Sequence, residues 1–304
     1  MRLRLGTRGS RLALVQTQSV ADALATLGRV ETEIVVIKTS GDRMAQAALA
    51  DFGGKALFVK EIEDALQSGQ VDLAVHSLKD MPAELPSGLC LAAFPPREDP
   101  RDSLVSRRGG GLDDLPAGAI VGSSSPRRRV LLLARRPDLR VEPIRGNVET
   151  RLAKLESGAY DAIVLAQAGL NRLGVTPAHA VTLAVEEFLP AAGQGILGLE
   201  VREDDGRVRE LVGRLDDARA RTEADAERAF LLRLGASCHA AVAGHARLEG
   251  GALRMIGLVA DPAGATVLRS SIDGPAAKAA AIGEELASDL LSRGARRLLE
   301  AREA

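Results

Sequence analysis

Residues 71–82 read VDLAVHSLKDMP, an apolar strand pattern that stops at a serine, a lysine and an aspartate. The segment before it has the spacing of a helix that ends at Gly69, and an earlier strand pattern ends at Gly41. The chain begins with a further strand pattern, RLRLGTR, and a helix pattern for which Ser10 is a suitable N-cap. This β-α-β-α-β order is typical of a mainly parallel sheet with helices on its faces.

The same order begins again after a proline-rich segment at residues 94–102. Three further strand patterns, each with a turn and a helix or loop after it, fill residues 100–190. The segment EEFLPAAGQGILGLEVRED is expected to return the chain to the first sheet. We therefore predict an α/β protein with two doubly wound, periplasmic-binding-protein-like domains. The first comprises residues 1–95 and 195–214, and the second comprises residues 100–190.

From about residue 218 the pattern of the chain changes. One helix pattern is followed by alternating apolar runs, which are separated by EGG and DPAG, and then by a long C-terminal helix pattern. Both short segments are hairpin turn signals. We predict a third, smaller α+β domain over residues 218–304, with Cys238 on the loop after its first helix.

The composition limits the classes of function. The chain has 304 residues, a formal net charge of -1 and only 2% aromatic residues, which argues against a nucleic-acid partner. No apolar run is long enough for a signal peptide or a membrane span, and two cysteines without a CxxC pattern argue against a disulfide framework or a structural zinc site. We predict a cytoplasmic monomer that binds a small molecule and neither a membrane nor a metal.

Polar and charged residues follow the predicted strands of both α/β domains, where ligands of open parallel sheets bind. Those of the first domain are Arg8, Ser10, Lys55, Ser77, Lys79 and Asp80. Those of the second domain are Ser123, Ser124, Ser125, Arg127, Arg128, Arg145, Arg151 and Arg172. Of the 40 basic residues, six are lysine and 34 are arginine. Arginines at several strand ends suit a ligand with several carboxylates better than a single phosphate.

Three residues, Asp80, His76 and Cys238, have more than one interpretation. Asp80 among cations is placed to stabilise a developing cation or to move a proton, or else to form a structural ion pair or cap a turn. The pattern does not separate a buried structural His76 from a catalytic one. Cys238 fits an apolar filler at a helix end, and with His239 and His245 it forms an incomplete metal set that lacks a carboxylate.

Several stretches together resemble the porphobilinogen deaminase family, whose members are also called hydroxymethylbilane synthases. They run nearly end to end and read RLGTRGSRLALVQ, FGGKALFVKEIEDAL, DLAVHSLKDMP, REDPRDSLVS, GSSSPRRR, IRGNVETRLAKLESGAYDAIVLAQAGLNRLG and PAAGQGILGLE. The resemblance implies a transferase of tetrapyrrole (heme) biosynthesis that joins four porphobilinogen molecules head to tail, with loss of ammonia each time. It also implies a dipyrromethane cofactor that is bound to the protein covalently.

By position in these motifs, the resemblance implies a thioether between Cys238 and dipyrromethane, and a catalytic role for Asp80. The implied cofactor-binding residues are Ser77, Lys79, Ser123, Ser125, Arg127, Arg128, Arg145 and Gly146. The implied substrate-binding residues are Arg8, Ser10, Lys55, Phe58, Arg145, Arg151 and Arg172. Of these, Lys55 and Phe58 are expected on a mobile loop over the cleft.

Two other functions fit part of the pattern. A non-enzymatic two-domain module for a polycarboxylate would have the same arginines, but it gives no reason for Cys238 or Asp80 to face the cleft. A phosphate-transferring enzyme is disfavoured because the P-loop spacing and an acidic metal cluster are missing.

Overall fold

The computed structural model describes residues 1–28, 30–39, 59–235, 240–262 and 264–300. The strands are β1 (Arg2–Thr7), β2 (Glu31–Val36), β3 (Leu73–Ser77), β4 (Leu89–Ala93), β5 (Asp102–Ser106), β6 (Ile120–Gly122), β7 (Arg140–Glu142), β8 (Ala162–Ala166), β9 (Ala180–Thr182), β10 (Leu197–Arg202), β11 (Ala241–Glu249), β12 (Ala252–Ala260) and β13 (Val267–Pro275). The helices are α1 (Arg11–Thr26), α2 (Lys60–Gln67), α3 (Pro126–Arg135), α4 (Val148–Glu156), α5 (Gln167–Leu173), α6 (Gly206–Gly213), α7 (Ala218–Leu234), α8 (Ala279–Ser292) and α9 (Ala295–Glu300).

Contacts divide the chain into two compact units. The first comprises Met1–Glu98 and Gly195–Ala224, and the second comprises Asp99–Gln194 and Asp225–Ala304. The three-domain boundaries expected from the sequence stay a prediction. Among the described residues, no helix combines the length and the apolar character needed to cross a membrane.

The first unit contains a five-stranded sheet with the order β2-β1-β3-β10-β4. Strands β2, β1 and β3 are parallel, and β10 is antiparallel to both of its neighbours. Apolar residues of the sheet and of α1 form one buried cluster, with Leu5, Leu73 and Leu199 fully buried. The predicted return of the chain is confirmed, because β10 enters this sheet from a distant part of the sequence.

The second unit contains a sheet with the corresponding order, β7-β6-β8-β5-β9. Here β7, β6 and β8 are parallel, and β5 is the antiparallel strand next to them. The two α/β sheets therefore follow one plan, as the repeated β-α rhythm of the sequence suggested. The predicted fold class, two doubly wound α/β domains and a smaller α+β domain, is confirmed.

The third sheet is the antiparallel meander β11-β12-β13. Both predicted hairpins are present, and Gly250 and Gly251 take positive φ angles of 55° and 83° in the first turn. Helix α8 packs closely on α7, since a Cβ atom at Gly283 would lie 2.1 Å from the carbonyl oxygen of Ala226. An apolar cluster that includes Val130 and Leu258 joins this sheet to α3.

Candidate active site

The carboxyl ends of β1 and β3 lie at the same edge of the first sheet, because these neighbouring strands are parallel. A cleft at this edge brings together four of the predicted site residues with two others. It is lined by Arg8, Ser10, Gln16, His76, Ser77 and Asp80 and by apolar side chains. The sequence thus predicted much of this cleft, although its analysis did not include Gln16.

Local structure fixes the two segments that carry these residues. The Oγ atom of Ser10 accepts the Ala13 amide at 3.3 Å and caps α1, as predicted. After β3 a short 3₁₀ turn, Leu78–Asp80, begins where the Leu78 amide donates to Ile196 O at 2.9 Å. Leu78 and Met81 are buried on either side of the turn. Asp80 is therefore held by a backbone anchored at both ends.

Asp80 is half-buried in the cleft. Within the described ranges, no residue forms an ion pair or hydrogen bond with its carboxylate. Next to it, Ser77 and Gln16 exchange hydrogen bonds of 3.1 and 3.3 Å between Oγ and the amide group. This arrangement leaves a carboxylate that has a fixed backbone and acceptor atoms that no described residue uses, which suits a cationic ligand.

Beneath the cleft lie buried ionisable residues that the sequence analysis left open or missed. His76 Nε2 is 3.0 Å from Glu200 Oε2. A third buried ionisable side chain, Glu63, lies on α2. Burial, together with repulsion from Glu200, raises the pKa of Glu63 from 4.5 to about 7. A signal for Glu200 was present in the sequence, because it is the only charged residue inside the strand pattern LGLEV.

In the second unit, the serine turn leads into α3 and is tied to the next strand-end loop. Ser125 caps α3 by accepting the Arg128 amide at 3.4 Å, and Ser123 Oγ accepts the Ser125 amide at 3.3 Å. Ser124 Oγ donates to Ile144 O at 2.8 Å and accepts the Ile144 amide at 3.0 Å. The turn and the Arg145 loop are thus held together.

The guanidinium groups of Arg127 and Arg128 are buried around one carboxylate. Each donates to a different oxygen of Asp102 at 2.7 Å, and Asp102 is fully buried. Burial alone would raise the pKa of Asp102, but the charges and hydrogen bonds of the two arginines hold it well below its ordinary value. Because one carboxylate faces two guanidinium groups, the group keeps one net positive charge. The sequence analysis did not single out Asp102.

The remaining predicted arginines of this unit follow β7 and β8. Gly146 has a φ of +114°, and a Cβ atom there would lie 2.6 Å from Thr150 Cγ2, so the loop requires glycine. Arg151 Nε donates to Gly146 O at 2.8 Å, and Lys154 Nζ donates to the Arg145 carbonyl at 3.1 Å. Since β6, β7 and β8 are parallel, the segments after them lie at one edge of the sheet.

Three predicted residues lie outside the described part of the chain. They are Cys238, Lys55 and Phe58. Among the residues that the structure does describe, no group of three or more histidine, cysteine or acidic side chains is arranged to hold a metal ion.

Comparison with known proteins gives matches over almost the whole chain. Residues 3–210 match the family model described as porphobilinogen deaminase, dipyrromethane cofactor binding domain. Residues 221–292 match the model described as porphobilinogen deaminase, C-terminal domain. The chain belongs to the porphobilinogen deaminase family. The family, transferase class and dipyrromethane cofactor predicted from the motifs are confirmed.

Relatives in this family are similar over their full length. A porphobilinogen deaminase of Syntrophotalea carbinolica is 50% identical over 98% of this chain and 95% of its own. One of Syntrophobacter fumaroxidans is 48% identical over 98% of this chain and 97% of its own. Solved structures similar to this chain include a periplasmic binding protein of Salmonella typhimurium, with 13% identity, a TM-score of 0.40, and coverage of 70% of this chain and 91% of that one.

The second unit has donors that fit the dipyrromethane of porphobilinogen deaminases, a group with several carboxylates. The buried Arg127–Asp102–Arg128 group keeps one positive charge. Arg128 Nε is buried and has no hydrogen-bond partner in the described part of the chain. The amides at the start of α3 and the hydroxyl groups of the serine turn add further donors. This set suits an anionic ligand, as the sequence predicted.

Proposed function

We propose that the chain joins four porphobilinogen molecules head to tail, with release of ammonia at each addition, to give hydroxymethylbilane for tetrapyrrole biosynthesis. The observation that carries this proposal is the different chemistry of the two strand-end edges. One holds the carboxylate of Asp80 together with Arg8, and the other holds several arginines, two of them around the buried Asp102. Porphobilinogen needs both, because it has an amine that leaves and two carboxylates that require cations.

Asp80 is assigned the catalytic role. Loss of ammonia converts the substrate into an azafulvenium cation, and a carboxylate beside this cation lowers the free energy of the step. The pyrrole carbon that forms the new bond then loses a proton, for which Asp80 is a suitable acceptor. Its half-buried position without an ion pair among the described residues supports this assignment.

The cations and hydroxyl groups are assigned to the carboxylates of cofactor and substrate. The residues proposed for the cofactor are Ser77, Lys79, Ser123, Ser125, Arg127, Arg128, Arg145 and Gly146. The residues proposed for the substrate are Arg8, Ser10, Lys55, Phe58, Arg145, Arg151 and Arg172. Guanidinium groups suit this task because their paired donors match a carboxylate.

Cys238 is assigned the covalent attachment of dipyrromethane through a thioether. When bound, dipyrromethane supplies the free pyrrole position to which the first substrate unit is joined. A covalent link keeps the growing chain on the protein between additions.

Mass spectrometry of the denatured, purified protein tests this proposal. We expect a mass above that of the sequence by two linked pyrroles, and peptide mapping should place it on Cys238. Cys238→Ser should lose the added mass. The matched control is Cys90→Ser, at a half-buried cysteine of β4, and it should keep the added mass. An active protein of unmodified mass would contradict the cofactor assignment.

The monomeric state, the absence of a nucleic-acid partner and the cytoplasmic location stay predictions. Size-exclusion chromatography with light scattering should give the mass of one chain. A stable dimer would contradict the first of these predictions.

A further inference from the structure

Three buried ionisable side chains lie beneath the cleft of Asp80, and none of the assigned roles uses them. They are His76 at the end of β3, Glu200 in β10 and Glu63 in α2, with 6%, 0% and 7% of their surface exposed. His76 also lines the cleft itself, together with Asp80. The cluster is therefore close to the reacting groups without being open to solvent.

The sheet places the first two residues on the same face. Gly198 of β10 is in register with His76, and Glu200 is in register with Ala74, two residues earlier on β3. Side chains two residues apart on a strand share a face, which explains the 3.0 Å contact between His76 Nε2 and Glu200 Oε2. The position of this histidine is thus fixed by a carboxylate from a distant segment.

The two glutamates are short of hydrogen-bond donors. Oε1 of Glu63 and Oε1 of Glu200 are both buried, and neither has a hydrogen-bond partner among the residues that the structure describes. An ionised carboxylate in such surroundings is costly, and a second one nearby is costlier still. These surroundings consequently favour the neutral form of Glu63, which gains its negative charge only as the pH rises through about 7.

Glu63 is the carboxylate that gains this charge. Its burial and the repulsion from Glu200 raise its pKa to about 7, while the attraction of His76 acts in the opposite direction. Other ionisable groups also lie near the cluster: Asp64 on α2, Arg8 after β1 and Asp80 after β3. Cys90 of β4 interacts with Glu200 through its charge but is in register with Val201, on the other face of the sheet.

We propose that Glu63, Glu200 and His76 act as a positioning cluster in which the negative charge of Glu63 stabilises the cation formed in the cleft when ammonia leaves. Charges act strongly on one another through the poorly polarisable interior of a protein. The proposal rests on the proposed role of Asp80, since it locates the cation beside that residue. The charge of the cluster should affect kcat more than KM, because the residues proposed to bind the carboxylates of the substrate lie outside the cluster.

The pH dependence of kcat tests the proposal. A group with a pKa of about 7 changes from about one-tenth to about nine-tenths ionised between pH 6 and pH 8. We expect kcat of the wild type to rise by up to about tenfold over this range, with KM nearly constant. Glu63→Gln should lose the rise and stay near the low-pH value, and Glu63→Asp should retain it.

Asp64→Asn is the matched control. Asp64 is exposed on the same helix and interacts with Glu63 only through its charge, so the rise in kcat should persist in this variant. If Glu63→Gln shows the wild-type rise, the proposal is wrong. The proposed function is tested separately, because near-normal turnover by Asp80→Asn would contradict that function, whatever Glu63→Gln shows.

A second measurement does not depend on folding of the variants. Carboxyl ¹³C NMR of the wild-type holoprotein, labelled at glutamate, should show one glutamate that titrates near pH 7. Assignment of that signal to Glu63 would support the cluster. A Glu63 signal that titrates near the ordinary 4.5 would overturn it.

Discussion

The two α/β sheets share one strand order but hold opposite buried charges. In each sheet one antiparallel strand carries a fully buried acid, Glu200 in β10 and Asp102 in β5. Glu200 contacts a histidine and lies near a second buried acid. Asp102 is bound by two arginines. The corresponding strand of the same topology therefore carries a buried acid in each unit, with a histidine as its partner in one unit and two arginines in the other.

This difference shows where function is determined. The fold sets which strand ends meet, and the partners of one buried acid set the sign of the local charge. A carboxylate such as that of Asp80 suits the cation proposed to form during the reaction, whereas arginines suit the permanent carboxylates of the proposed substrate and cofactor. Substitutions at Asp102 and at Glu63 should therefore change the stability of the protein by different amounts and with a different dependence on pH.

Removing the carboxylate of Asp102 should have the largest effect on stability. Asp102→Asn leaves Arg127 and Arg128 buried without a counter-charge, and we expect the free energy of unfolding to fall by about 3–5 kcal/mol. Urea denaturation followed by circular dichroism measures this loss. A loss below about 1 kcal/mol would mean that the arginines do not depend on Asp102.

Glu63→Gln should have a smaller effect, which depends on pH. The pKa of folded Glu63 is about 7, above the ordinary 4.5, so the neutral form favours folding. The contribution of neutral Glu63 to the free energy of unfolding is complete below pH 4.5 and is lost as the pH rises through 7. Relative to Glu63→Gln, the wild type should therefore lose up to about 3 kcal/mol of stability between pH 4.5 and pH 8. Equal differences at both pH values would contradict the raised pKa.

The smallest effect is expected at an exposed ion pair of the second unit. Arg135 Nη2 lies 2.8 Å from Asp113 Oδ2, but the two side chains are 57% and 63% exposed. Because solvent screens such pairs, Asp113→Asn should unfold at the same urea concentration as the wild type, within measurement error. A clear loss of stability in Asp113→Asn would show that an exposed ion pair contributes to stability as the buried Asp102 group does.

The sequence predicted the features that depend on neighbouring residues. The β-α alternation, the cap at Ser10, the two hairpins of the third sheet and the position of Asp80 after β3 all follow from local patterns. The antiparallel strand β5 was not predicted, because its short apolar run DSLVS follows a proline-rich segment that resembled a linker.

The buried charge groups could not be predicted in the same way. His76 and its partner Glu200 are 124 residues apart, and Asp102 is 25 and 26 residues from its two arginines. An acid inside an apolar strand signals a buried partner, but only the packed structure shows whether that partner is a histidine or an arginine. The type of partner decides the net charge of each buried group.

Steady-state kinetics of two variants, measured side by side, test the division of charge most directly. Asp80→Asn should lower kcat by roughly 10²–10⁴-fold while KM changes little, because its carboxylate acts on the cation formed during the reaction. Arg172→Leu should instead raise KM by roughly tenfold or more, because it removes a guanidinium group that is proposed to bind a substrate carboxylate. If Asp80→Asn raised KM and left kcat near the wild-type value, the account would be contradicted.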